Sequence, residues 1–188
     1  MMIYLFKRLF ILWIICCTFV LNGRAQRIKS IATLWSDSFR EWVIYTDDED
    51  ITGFLRLQWA TGDDWSSWTY QTGEHYGVIQ QKWSNDPSQW ELRGDNEVIT
   101  ARTIWRDDFT AWNCDDGTTR IKWKSVYKNI LEDWVADSPS GNINCELYVA
   151  WEGDPREWIF EDNSEEELSF AYQMMLVFIT IYHATSKN

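Results

Sequence analysis

The chain has 188 residues, 14 of them tryptophan, with 17 Lys+Arg against 29 Asp+Glu and a formal net charge of −12. Such a surface repels phosphates and anionic bilayers, so bulk electrostatics argue against nucleic acid as a partner. The length suits one domain with a sizeable core.

The N-terminus places Lys7 and Arg8 ahead of the apolar run Leu9–Leu21, followed by Gly23-Arg24-Ala25. That is the layout of a secretory signal peptide over residues 1–25, cut after Ala25. The apolar run is short of the ~20 residues a membrane span needs. Cys16 and Cys17 lack the small neighbours of a lipoprotein signal. The expectation is a secreted or periplasmic protein of residues 26–188, with no transmembrane span after cleavage. Loss of Lys7, Arg8 and Arg24 leaves 14 basic against 29 acidic residues, a net charge of −15. Cys114 and Cys145 remain in a compartment that permits a disulfide. Their different offsets from the neighbouring tryptophans imply different heights along the strands, which argues against a bridge.

The tryptophans organise the rest of the chain. WSDSFREW (35–42) returns as WRDDFTAW (105–112), and WSNDPSQW (83–90) as WEGDPREW (151–158). This reads as an internal duplication, with halves at 28–97 and 98–163. Looser copies run Trp59–Trp68 and Trp123–Trp134. Three residues before each second tryptophan stand Phe39, Trp65, Pro87, Phe109, Leu131 and Pro155. One position earlier stand Asp64, Asp86, Asp108 and Asp154, with Ser38 and Ile130 as variants. Asp and Ser accept hydrogen bonds from backbone N–H groups two or three residues on, which is expected to cap one helical turn begun by Phe, Trp or Pro. In that turn Phe39 meets Trp42 and Phe109 meets Trp112.

The flanking segments alternate as strands do. Leu55/Leu57/Trp59, Ile121/Trp123 and Leu147/Val149/Trp151 share one phase before the turns. Trp42/Ile44, Trp68/Tyr70, Trp90/Leu92 and Trp158/Phe160 share one after them. Both tryptophans of a pair are thereby expected on the apolar face, stapling each hairpin on its buried side for roughly 0.2–1 kcal/mol. Arg120, Lys122 and Lys124, with Lys128 nearby, read as a solvated outer face. Polar connectors at 46–53, 71–77, 93–97, 114–118 and 138–142 join the hairpins. The predicted fold is mainly β: a closed twelve-stranded antiparallel barrel of six Trp-paired hairpins, with Trp turns at one end and Gly turns at the other. Twelve strands enclose more space than wall side chains fill. The tail SFAYQMMLVFITIYH, apolar around its circumference, supplies a buried C-terminal helix at 165–184. Ser164 and Glu167 form a capping-box pattern before it.

Six hairpins closed around this SFAYQMMLVFITIYH helix resemble the superfamily of tubby C-terminal domains, phospholipid scramblases and LURP-one-related proteins. The likeness covers residues 28 to 184 and rests on strand count, hairpin order and the helix. It implies lipid or phosphoinositide contact, or a scaffolding role. No cationic pocket or scramblase-like cysteine cluster accompanies it, so it carries over the fold and no binding residues.

Catalytic signals are sparse. His75 and His183 are the only histidines, and no G-x-S-x-G, H-E-x-x-H or P-loop occurs. Neither a cofactor nor a metal is implied. The acidic connectors Asp47–Asp50 and Asp115-Asp116-Gly117 lack the alternating ligand pattern of a calcium loop and read as solvated turns. The expectation is a non-enzymatic binding or scaffold protein, contacting lipid or a protein partner through its Trp-rich rim. The alternative is a glycan-binding module of β-trefoil-like architecture. In either case Asp64, Trp65, Asp86, Asp108 and Asp154 are the candidate ligand-binding residues.

Overall fold

A computed structural model describes residues 26–59 and 62–187, so the signal peptide expected at 1–25 lies outside the described residues. Twelve strands follow in chain order: β1 Ile28–Trp35, β2 Ser38–Thr46, β3 Thr52–Leu57, β4 Ser67–Thr72, β5 His75–Gln81, β6 Gln89–Gly94, β7 Glu97–Trp105, β8 Asp108–Asp115, β9 Arg120–Tyr127, β10 Ile130–Asp137, β11 Cys145–Trp151 and β12 Asp154–Asp162. One helix, α1, spans Phe170–Ala184. Each strand pairs antiparallel with its sequence neighbours, and β1 also pairs with β12, so the sheet closes into one barrel. That is the predicted architecture. It is not a trefoil, because all twelve strands belong to a single closed ring.

Alternation explains the wall. Leu55, Ile79, Leu92, Ile99, Ile121 and Leu147 point inward and are fully buried. The intervening positions carry Arg56, Glu91, Arg102, Lys122 and Glu146. An apolar interior behind a charged exterior reverses the pattern of membrane-spanning barrels. Among the described residues no helix is long and apolar enough to cross a membrane.

The helix fills the lumen. Phe170 to Tyr182 are all buried, and 15 residues at ~1.5 Å rise give about 22 Å of helix, matching the strands. Most of its polar side chains find partners inside, while the buried His183 Nε2 is left without one. Gln173 Oε1 accepts from Ile28 N (2.9 Å), while its Nε2 donates to Leu168 O (3.0 Å). The Tyr172 hydroxyl donates to Cys114 O (2.6 Å).

The helix starts five residues later than its sequence pattern suggests. Ser169, not Ser164, is the N-cap, its Oγ accepting from Tyr172 N at 3.2 Å. Residues 163–167 are instead spent closing the barrel end. Asn163 N and Glu165 N donate to Asn144 O and Asn142 O (2.8 and 2.9 Å), Ser164 Oγ accepts from Asn144 N (2.9 Å), and Glu167 pairs with Arg27 (3.1 Å). The capping-box residues are used by a neighbouring connector, and no acidic residue lies in the first helical turn.

Candidate functional site at the tryptophan rim

The side-chain cap recurs on five of the six hairpins at one barrel end, Ile130 being unable to supply it, and it closes a hairpin turn rather than the expected helical one: β2, β8 and β12 begin at the capping residue itself. Asp64, Asp86, Asp108 and Asp154 each accept from the backbone N–H two residues on, at 2.9–3.2 Å. Ser38 Oγ does the same at 3.3 Å. All six second tryptophans (Trp42, Trp68, Trp90, Trp112, Trp134, Trp158) donate their indole N–H to the carbonyl three residues back, at 2.8–3.0 Å. The slot residue thus has a backbone role, which Phe, Trp, Pro and Leu all serve. Phe39–Trp42, Trp65–Trp68 and Phe109–Trp112 rings pack with centroids 5.9, 5.8 and 6.2 Å apart.

The first tryptophans overturn the expectation that both members lie inside. Trp35, Trp59, Trp83, Trp105 and Trp151 are 56–69% exposed. The registers of three hairpins shift immediately before the turn, between Thr33 and Trp35, Thr103 and Trp105, and Val149 and Trp151. A one-residue slip carries a side chain to the other face of a sheet. Trp35 then lies outside, its indole N–H on Glu41 (2.8 Å).

Trp123 is the exception, fully buried on β9. The outward position of that hairpin belongs to Tyr127, paired with Ile130 across a two-residue turn as Trp105 is with Asp108. Tyr127 is 56% exposed. The true copy is therefore Tyr127…Trp134, with the same spacing as Trp35…Trp42 and Trp105…Trp112. Pairing by residue type alone missed it; the constant spacing was the available signal. Six exposed aromatics, one per hairpin, consequently ring the barrel end.

The predicted site residues do not converge, because Asp64, Asp86, Asp108 and Asp154 sit on four different hairpins. Their carboxyls are all held below the ordinary aspartate range, chiefly by hydrogen bonds from Ser66, Ser88, Thr110 and Arg156 respectively. Trp65 is 9% exposed, packed between Trp68 and the Arg40 guanidinium (5.1 Å from its ring), and offers no free face. Asp64 and Trp65 do edge a rim groove of ≈ 430 Å³, shared with Ser66, Asn85, Tyr182 and Lys187.

The remaining candidates have structural surroundings. His75 opens β5 and has a partner: its Nδ1 lies 3.2 Å from Asp95 Oδ2, and its ring stacks on Phe170 at 4.5 Å. His183 is enclosed by Phe109, Trp112 and Tyr182, and burial pushes its pKa down to about 3, with help from the Lys187 charge. Cys114 and Cys145 are free and buried, and desolvation raises both thiols. The acidic connectors fold on themselves: Asp48 caps Asp50 N, Asp115 caps Gly117 N, and Asp116 caps Thr118 N and Thr119 N. Among the described residues no cluster of His, Cys, Asp and Glu converges as a metal site. No family model, curated protein or solved structure matches the chain.

Proposed function

We propose that this is an exported, non-catalytic binding or scaffold protein whose contact surface is the aromatic rim. The observation that carries the reading is the outward turn of Trp35, Trp59, Trp83, Trp105, Tyr127 and Trp151 at the same end of all six hairpins. Single exposed aromatics are ordinary, but a repeated ring of them is a patterned surface. Trp and Tyr dominate binding hot spots because they bury large area at small entropic cost. Exposed Asp37, Asp63, Asp107 and Glu152 interleave with the ring, so an anionic bilayer is disfavoured and a protein partner preferred. The scaffold role rests on the tubby-like resemblance, which the strand count and central helix carry. Glycan binding is the second reading. It is favoured by the polar rim groove beside Asp64, where Ser66, Asn85 and the Tyr182 hydroxyl lie within reach of one ligand.

The test compares the wild type with a variant carrying Gln at Trp35, Trp59, Trp83, Trp105 and Trp151. Each is assayed by photo-crosslinking to envelope proteins of the native cell, flotation with phosphatidylcholine vesicles, and a glycan panel. A defined crosslinked protein lost in the variant supports the reading. Equal crosslinking by both chains sinks it, and rim-dependent flotation or glycan retention would transfer the surface to those partners.

A further inference from the structure

One strip of the barrel exterior is opposite in sign to the molecule as a whole. Lys82 N donates to Gln89 O at 3.0 Å, Gln89 is in register with Arg102, Arg102 with Asn113, and Asn113 with Lys122. Trp90, Ala101, Trp112, Ile121 and Trp123, their sequence neighbours, are buried, so this row faces outward. It reads Lys, Gln, Arg, Asn, Lys across successive strands, and Asp137, opposite Lys122, ends it.

The acids around the row are engaged. Glu91 pairs with Arg93 (2.7 Å), Asp115 with Arg120 (2.5 Å) and Asp137 with Lys124 (3.1 Å). Among the described residues Lys82, Arg102 and Lys122 have no ion-pair partner. A groove of ≈ 310 Å³ runs between Lys82, Gln89, Arg102 and Asn113, with Thr100, Arg120 and the Arg120-paired Asp115 carboxylate on its flank.

At a strand spacing of ~4.8 Å, the three cations stand about 10 Å apart with one amide between each pair. A pyranose unit is comparable in length to one strand spacing. We infer that this row binds an acidic polysaccharide in which charged and neutral sugars alternate, lying across the strands. Carboxylate or sulfate groups fall on Lys82, Arg102 and Lys122, and hydroxyls of the intervening sugars on Gln89 and Asn113. A bilayer would meet a whole side of an acidic barrel. A slender chain samples only the row, because salt confines each charge to a reach of ~8 Å. Single-stranded nucleic acid requires aromatic platforms for its bases, and the row contains none.

The test is calorimetric titration of the full chain with hyaluronate oligosaccharides, whose uronates alternate with neutral sugars. Polygalacturonate, neutral dextran and oligothymidylate serve as comparisons. Hyaluronate binds best, and its affinity falls steeply as salt rises from about 50 to about 200 mM. R102Q and K122Q each lower affinity about ten-fold, the effect of one lost charge-assisted contact. K29Q, exposed on β1, leaves it unchanged. Circular dichroism verifies that these surface variants stay folded. The inference is overturned by absence of hyaluronate binding, by equal binding of dextran or oligothymidylate, or by K29Q costing as much as R102Q. Tighter binding of polygalacturonate would overturn the alternation.

Discussion

The Trp123 indole N–H donates to Thr180 Oγ1 at 2.8 Å, joining the inner wall of β9 to the helix it surrounds. The Thr180 hydroxyl donates onward to Leu176 O at 3.0 Å, so it accepts one buried hydrogen bond and donates another. Thr180→Val keeps the shape and strands the indole N–H, for a loss of about 1–3 kcal/mol. Trp123→Phe removes the donor, and Thr180→Val added to it costs distinctly less than it does alone. A urea double-mutant cycle measures the coupling. Additive losses would show that the bond contributes nothing.

Tyr70 sets a second constraint. Its hydroxyl reaches Asp95 at 3.3 Å, and its ring lies beneath Gly77 and Gly94 of the adjoining strands. A Cβ on Gly94 would fall 2.4 Å from the Tyr70 hydroxyl and 2.6 Å from Tyr76 O. Gly94→Ala is therefore destabilising by about 1–3 kcal/mol, since one of its neighbours is rigid backbone. Gly117→Ala has open space around its Cβ and suffers only from its φ of 92°. Thermal unfolding ranks the two. A smaller loss at Gly94 would refute the packing argument.

The buried His183 makes stability depend on pH from about 6.5 downward, starting above the carboxylate range. Its folded pKa is lowered from 6.5 to about 3, so between those values the unfolded chain takes up a proton that the folded chain does not. Stability is full above pH 6.5 and is lost as pH falls through that window, with a slope approaching roughly 1.4 kcal/mol per pH unit. The lowered Asp64, Asp86, Asp108 and Asp154 act only at lower pH, as pH falls through and below the ordinary aspartate range. His183→Phe retains the stacking on Phe109 and flattens the profile from pH 6.5 to 4. Denaturation at half-unit pH steps checks this; an unchanged slope would assign it to another group.

Tryptophan emission separates rim from core. Gln at Trp35, Trp59, Trp83, Trp105 and Trp151 removes the exposed indoles, shifting emission to the blue and costing less than about 0.5 kcal/mol per site. Ending that variant's chain at Asn163 deletes the thirteen buried residues from Phe170 to Tyr182. Emission then moves to the red and the cooperative transition disappears. A truncated chain that still unfolds cooperatively with unchanged emission would show that the wall stands without its helix.

Much of the barrel was legible because its signals are local. A period of two, six turn motifs with Asp, Ser or Ile at the same place, and a tail apolar on every side each imply their element from short-range sterics and burial. The second tryptophans followed their phase inward, as Trp42/Ile44 and Trp90/Leu92 indicated. The start of α1 was less legible, since Ser164 and Ser169 both offer a capping hydroxyl. Which one caps depends on Asn142 and Asn144, distant in sequence, claiming residues 163–165 first.

The rim was hidden for a related reason. By itself the sequence determined the strand count, the hairpin order, the turn chemistry and the central helix, because each follows from residue type at fixed spacing. Tertiary structure alone decided which face the first tryptophans take and which cations share a row. A register shift of one residue leaves composition and period untouched, yet it moves Trp35, Trp105 and Trp151 from core to surface. Likewise, Lys82, Arg102 and Lys122 become neighbours only through the pairing of separate strands.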